Sequence, residues 1–356
     1  FNVNNADFAI ATYSPLYLGA LSGNNFNGTI QVAEVYVATT SLDCVTADQT
    51  WAQAGADFLV DSDICVGPGG GVRITGSGSR FLFGESAHVY VDNASFIAQG
   101  APGDRIIFQP DDYDSDPWDF FWGFNIQAGS GDTVEFNYAD IINTMFLMSG
   151  SGLLGKAWLT NSQLVYTYFN ASNIADFALS SSSVEIGDWD EYNVAVEFSG
   201  QVHVSDFSNN QLNGTMGLIR LVYNYPGSCL GAVSGNTLVG GSDHHFLVRE
   251  PAPEPCINTA QTWAQTNARF NIDQDICIGA AGSVEVTATG SDFNFYSGKK
   301  IAANGSFTAT GAPGSRINFQ TPAASWGGIV LGTGGQDFGL SYVNWRDGPV
   351  ITNDPS

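Results

Sequence analysis

Basic residues are scarce in this chain of 356 residues: Lys and Arg number 11 against 35 Asp and Glu, leaving a formal net charge of −24. Phosphate backbones and anionic membrane surfaces need a positive footprint, so nucleic acid and acidic lipid are poor partners. Divalent cations, glycans and mineral or cell surfaces stay open. A salty or acidic habitat also accounts for the acidity, since net charge reports on solubility rather than fold. Long apolar runs are missing too. None approaches the ~20 residues of a membrane span, so membrane insertion is not expected. There is no helical stripe with caps beyond a short turn read over 52–58, and no Ser-His-Asp order, phosphate loop or redox motif.

What the chain does have is glycine (42 residues), phenylalanine (24) and a text written twice. Too apolar for disorder, the composition indicates strands separated by turns. Cys44-Val-Thr-Ala-Asp-Gln-Thr-Trp51 returns as Cys256-Ile-Asn-Thr-Ala-Gln-Thr-Trp263, an offset of 212 residues. Asp61-Ser-Asp-Ile-Cys65 returns as Asp273-Gln-Asp-Ile-Cys277, and Gly100-Ala-Pro-Gly-Asp-Arg105 as Gly311-Ala-Pro-Gly-Ser-Arg316. Leu18–Phe26 matches Leu230–Leu238 at the same offset. Residues 1–43 therefore read as the tail of a preceding unit, 44–255 as one complete unit, and 256–356 as the start of the next. On this reading both ends fall inside a unit, as in a piece of a longer array.

The cysteines repeat as a pair 21 apart, Cys44/Cys65 and Cys256/Cys277. Two equivalent disulfides are the expectation, with four buried free thiols as the alternative. Cys229 is left over and reads as a buried free thiol. Disulfides imply an extracellular or periplasmic setting, and the expectation is extracellular, at the cell surface. In that setting five Asn-x-Ser/Thr triplets, at Asn27, Asn93, Asn170, Asn213 and Asn304, become candidate glycosylation sites; Asn93 and Asn304 are equivalent in the two copies.

Inside each unit the periodicity is two, in short runs such as Val72/Ile74, Phe81/Phe83, Val89/Val91 and Ile106/Phe108, divided by Gly, Asn, Asp or Pro. Between runs, Ser22-Gly-Asn-Asn-Phe26, Ser208-Asn-Asn-Gln-Leu212 and Ser234-Gly-Asn-Thr-Leu238 share one form, with Thr160-Asn-Ser-Gln-Leu164 and Ala171-Ser-Asn-Ile174 as looser versions. Asn tolerates the left-handed conformation that a sharp corner needs. Corners at rung-like intervals predict an all-β, right-handed parallel β-helix in preference to tandem β-sandwiches. Rungs of about 20–25 residues stacked at about 4.8 Å would give a rod of about 70 Å, whose open β edges need a cap, a continuation or a partner.

The progression Gln49-Thr-Trp51, Val72-Arg-Ile-Thr75, Phe96-Ile-Ala-Gln-Gly100, Arg105-Ile-Ile-Phe108 and Trp122-Gly123 resembles the opening rungs of secreted bacterial and archaeal right-handed β-helix repeat proteins. Asn304-Gly-Ser-Phe-Thr-Ala-Thr-Gly311 and Trp326-Gly-Gly-Ile329 fit that pattern more closely than the first copy, which has Asn93-Ala94 and Phe124 instead. The resemblance covers about 80 residues in each copy. It implies the fold, and a role among adhesins, surface-layer components, surface-protein passengers or polysaccharide-acting enzymes.

Three groups carry possible site chemistry. Asp112, Asp114 and Asp116 alternate as calcium ligands do, although Pro117 and the lack of a following Glu rule out an EF-hand, and the second copy replaces the loop by Thr321–Ser325. Asp61/Asp63 and Asp273/Asp275 recur beside each disulfide, either as a cation site or as hydrogen-bonding corners. Asp188–Glu191 and Asp243-His-His245 are weaker, since adjacent strand residues face opposite ways. Lysines number three (Lys156, Lys299, Lys300), too few for an obvious lyase base, and Arg105 and Arg316 are expected to pair with a local carboxylate or carbonyl. Trp51/Trp263 and Trp122/Trp326 read as packing residues, Trp118 and Trp189 as exposed. The expectation is a non-enzymatic extracellular structural protein that self-associates head-to-tail or laterally, with no cofactor unless calcium. The rival is a polysaccharide-binding or polysaccharide-cleaving β-helix using carboxylates and Trp.

Overall fold

Alternating runs become strands one face of which is buried. In Arg80–Phe83 and Ser95–Gln99 every second residue is buried, and Phe81, Phe83, Phe96 and Ala98 lie inside. The computed structural model describes residues 10–12, 15–23, 34–37, 44–84, 87–111, 121–186, 196–214, 220–223, 230–240, 245–248, 256–322, 325–332 and 337–352. Every strand pairing in it is parallel, and a strand characteristically pairs with strands one turn before and after; sequence neighbours are paired where long strands run through corners, as at Gln163–Ser180. That is a parallel β-solenoid, the expected fold class. The expected short helix over 52–58 is not there: strand Asp57–Val60 begins inside it, and short 3-10 helices fall instead at Pro15–Ala20 and Leu230–Ala232.

Two compact units divide the chain, 1–187 and 188–356. In the first, three sheet faces alternate along the sequence. Strands Asp57–Val60, Arg80–Phe83 and Ile106–Pro110 stack on the first face. Ile64–Val66, His88–Asp92 and Phe121–Ala128 stack on the second. Gln49–Trp51, Gly71–Ile74, Ser95–Gln99, Thr133–Asn137 and Lys156–Thr160 stack on the third. The long strands Ala139–Leu154 and Gln163–Ser180 run through corners and contribute to more than one face. First-face partners are 23, 27, 33, 23 and 20 residues apart from Asp57 onward, so two turns exceed the expected length, most of all the one in which the acidic loop after Pro110 is inserted.

The second unit repeats the plan. Its first face is built by Arg269–Ile272, Asp292–Phe295, Ile317–Gln320 and Val343–Trp345, its second by Ile276–Ile278, Lys300–Ala303, Gly328–Leu331 and Val350–Thr352, and its third by Ala260–Trp263, Ser283–Val286, Ser306–Thr310 and Phe338–Ser341.

Parallel register brings like side chains over like. Beneath the first face Phe58, Phe81 and Phe108 stack with ring centres 4.6 and 5.1 Å apart, and the equivalent Phe270, Phe293 and Phe319 do so at 4.8 and 5.2 Å. Offset aromatic contacts of this kind add about 1 kcal/mol each beyond the area they bury. Trp51 and Trp263, 2% and 1% exposed, lie over Phe81 and Phe293. Trp326, 2% exposed, stacks on Phe295 and donates its indole N–H to the Arg346 carbonyl at 2.9 Å. These three tryptophans are packing residues, as their matched positions predict.

The corners explain the Asn-rich motifs. Asn161, Asn209 and Gly235 adopt φ of 52°, 56° and 65°, where an ordinary side chain is costly. The polar residue that follows turns inward: Ser162, Asn210 and Asn236 are 1%, 1% and 7% exposed. In the second unit these residues hydrogen-bond turn to turn. Asn236 Oδ1 accepts the Asn210 backbone N–H at 3.0 Å, Gln265 Oε1 accepts that of Asn236 at 2.8 Å, and the Ser291 hydroxyl donates to the Gln265 carbonyl at 2.8 Å. A buried polar row of this kind is tolerable because each member is satisfied by its neighbours.

Candidate functional site

Both disulfides form, Cys44–Cys65 and Cys256–Cys277, with Cα atoms 4.4 and 4.5 Å apart. Each ties two successive turns at the start of a copy, where Val45 bridges Val66 and Ile257 bridges Ile278. Cys229 lies outside the described residues.

The repeated acids beside the disulfides act on the backbone. Asp63 Oδ1 accepts the N–H of His88 at 2.9 Å, and Asp275 Oδ1 accepts that of Lys300 at 3.0 Å. His88 and Lys300 are equivalent: each opens the second-face strand of the following turn. One carboxylate in each copy therefore fixes where the next strand begins. Asp61 is exposed and Asp273 half-buried. Among the described residues no set of three His, Cys, Asp or Glu is gathered as a metal site. The acids of the other loops, Asp112, Asp114, Asp116 and 188–191, lie outside the described residues, as do Trp118, Trp189, Asp243, His244 and the side chains of Trp122 and His245.

Around Asp63 the first copy adds a group that sequence reading missed. Asp63 Oδ1 lies 3.1 Å from His88 Nδ1, and the imidazole stacks on Tyr90 with centroids 5.0 Å apart. Partial burial, with the Asp63 charge as the smaller cause, raises the Tyr90 hydroxyl above its ordinary value. The second copy keeps Asp275 but carries Lys300 and Ala302 in place of His88 and Tyr90. Aligning the copies and looking for mismatches, rather than matches, would have exposed it.

Arg105 meets both expected partners: its Nε donates to Asp140 Oδ1 at 2.5 Å and its Nη2 to the Asn161 carbonyl at 2.6 Å. Burial pushes the Asp140 carboxyl above the ordinary aspartate value, and the Arg105 guanidinium and the Gln163 backbone pull it partly back. In the second copy Asn344 stands in the register position of Asp140, and Arg316 is exposed. Arg80 and Asp57 form a bidentate pair across the first face, with Nε to Oδ1 at 2.7 Å and Nη2 to Oδ2. Their equivalents are Arg269 for Asp57 and Asp292 for Arg80, also in register: the signs are exchanged.

The third face of the first unit carries a linked polar row. Arg73 Nη1 donates to Gln99 Oε1 at 2.7 Å and Gln99 Nε2 to Glu135 Oε1 at 3.1 Å, while Lys156 Nζ sits 4.6 Å over the Trp158 ring. Of the glycosylation triplets, Asn93 and Asn304 are exposed at equivalent corners. Asn170 and Asn213 lie within strands, half-exposed, the first donating to the Tyr168 hydroxyl at 3.3 Å and the second accepting from Gln211 at 3.2 Å. Asn27 lies outside the described residues.

No protein-family model matches this chain, and no curated protein or solved structure matches it. The fold and its cross-links define the class: an all-β parallel solenoid repeat protein stapled by two disulfides. No helix among the described residues is long and apolar enough to cross a membrane.

Proposed function

We propose that this chain is an extracellular structural repeat protein whose stacked turns build a filament, sheath, surface layer or adhesin stalk, without an enzymatic role. The observation that carries the reading is what the two copies share. The residues kept at the repeat offset hold one turn to the next: the disulfide, the Phe58/Phe270 file, the buried Trp51/Trp263, and the Asp63/Asp275 carboxylate on the following strand. The differences fall largely on the outward chemistry, with the Asp57/Arg269 and Asp140/Asn344 exchanges as exceptions, buried in the first copy. Selection for a stiff, repeatable unit accounts for that division, and the disulfides favour an oxidising, extracellular setting. Self-association, head-to-tail or lateral, belongs to this reading, with calcium bridging the acidic loops and glycans on the exposed Asn93 and Asn304.

Negative-stain electron microscopy of the native protein, with and without a calcium chelator, tests it. Filaments with a regular axial repeat are expected, and their loss on chelation assigns the acidic loops to the joints. Discrete monomers in both conditions sink the polymer.

A further inference from the structure

We propose that the first sheet face of the second unit is a binding surface for a neutral polysaccharide. Two hydrogen-bonded files of side chains, carboxamides with one carboxylate, run along it, half-exposed except for Asn294, which is 9% exposed. In one, Asn294 Nδ2 donates to Asn271 Oδ1 and Gln320 Nε2 donates to Asn294 Oδ1, both at 3.0 Å. In the other, Asn318 Nδ2 donates to Asp292 Oδ1 at 2.6 Å and Asn344 Nδ2 to Asn318 Oδ1 at 2.7 Å. Tyr296, two residues beyond Asn294 on the same side of the chain, is 38% exposed.

The fold does not require this surface. The same backbone positions in the first copy are Leu59 for Asn271, Leu82 for Asn294, Ile107 for Asn318 and Gly84 for Tyr296, while Gln320 is matched by Gln109 and Asn344 by Asp140. The solenoid therefore stacks with aliphatic side chains at three of these positions, and Asn271, Asn294, Asn318 and Tyr296 call for a reason outside the coil.

Their chemistry points to one. A carboxamide has two N–H donors and an oxygen with two lone pairs. Each ladder link uses one donor and one lone pair, so half-exposed Asn271, Gln320, Asn318 and Asn344 retain capacity toward solvent. The charge-assisted bond to Asp292 polarises the second file along its length. A sugar hydroxyl is likewise donor and acceptor at once, and an exposed tyrosine offers a flat apolar face with a polar tip to the C–H face of a pyranose. The groups recur once per turn, about 4.8 Å apart, which suits a polymer better than a single small molecule. The two charged residues at the edge, Arg269 and Asp292, stand in register and are of opposite sign. A net charge of −24 disfavours an anionic chain.

Affinity electrophoresis of the full chain through native gels containing hydroxyethyl cellulose, mannan or dextran, with alginate as the acidic counterpart, tests the proposal. Retardation is expected in at least one neutral gel and not in alginate. Tyr296→Ala and the double change Asn318→Ala/Asn344→Ala should each weaken it at least about tenfold, while Leu82→Ala in the first copy leaves it unchanged. Tyr296 is exposed, so its variant keeps the fold, and a circular-dichroism melt verifies both. Retardation in none of the neutral gels, in alginate alone, or undiminished by both changes overturns the proposal. The gel reads this face whether or not filaments form, so its outcome is separate from that of the microscopy.

Discussion

At the scale of single residues, Arg105 is the most exacting cation described. It neutralises Asp140, whose side chain is 11% exposed, and also caps the Asn161 carbonyl. Removing it leaves a buried carboxylate without its partner, and Arg105→Ala should cost about 3 kcal/mol in urea unfolding. Asp140 itself gives a pH signature. Its folded value is raised above the ordinary 3.8, so the folded state binds more protons than the unfolded state between those two values. The stability this proton confers is complete below 3.8 and is lost as pH rises through the raised folded value. Asp140→Asn cannot titrate, so its stability relative to the parent chain should climb across that window; a flat difference in unfolding free energy measured from pH ~3 upward would contradict it. The amide is already present at the matching Asn344. The disulfides act through the unfolded chain: each closes a loop between cysteines 21 apart, and Cys256→Ser/Cys277→Ser should lower stability by about 3 kcal/mol.

At the scale of the element, the corner is what the sequence spelled most clearly. Ser-Asn-Asn announced a left-handed Asn, and Asn209 supplies it; in Ser-Gly-Asn the left-handed residue is Gly235 instead, and Asn236 turns inward. What the motif did not reveal is that the next residue turns inward and bonds to the turn above. That partner is set by register between strands 20 or more residues apart, and local pattern carries no register. Gln265 shows the gap: it stands two residues before the left-handed corner residue Asn267 rather than directly after one, yet it continues the buried row from Asn236. Gln265→Leu takes the Gln265 partners from the Asn236 backbone N–H and carbonyl in the interior, while the Asn236 amide keeps the Phe207 carbonyl, and should destabilise by about 3 kcal/mol by denaturant titration. The strands were legible because alternation alone fixes which side is buried. The helical turn expected over 52–58 failed because Asp57–Val60 is claimed by its neighbours, Arg80–Phe83 and Glu34–Val37.

At the scale of the whole molecule, the repeat told more about fold than about task. Matching positions located the disulfides, the packed tryptophans and the carboxylate clamps, all of them architectural. The carboxamide face and the Asp63–His88–Tyr90 group lie where the copies disagree, and a search for recurrence passes over such places. The exchanged pair Asp57–Arg80 and Arg269–Asp292 has its own consequence during folding. A chain that writes nearly the same strands twice risks docking a strand on the look-alike of its proper neighbour. Here the error puts Asp57 against Asp292, or Arg269 against Arg80, and like charges directly opposite one another oppose the pairing. The reversal of sign works as an address label: it lets two nearly identical copies sort themselves while the chain is still finding its turns.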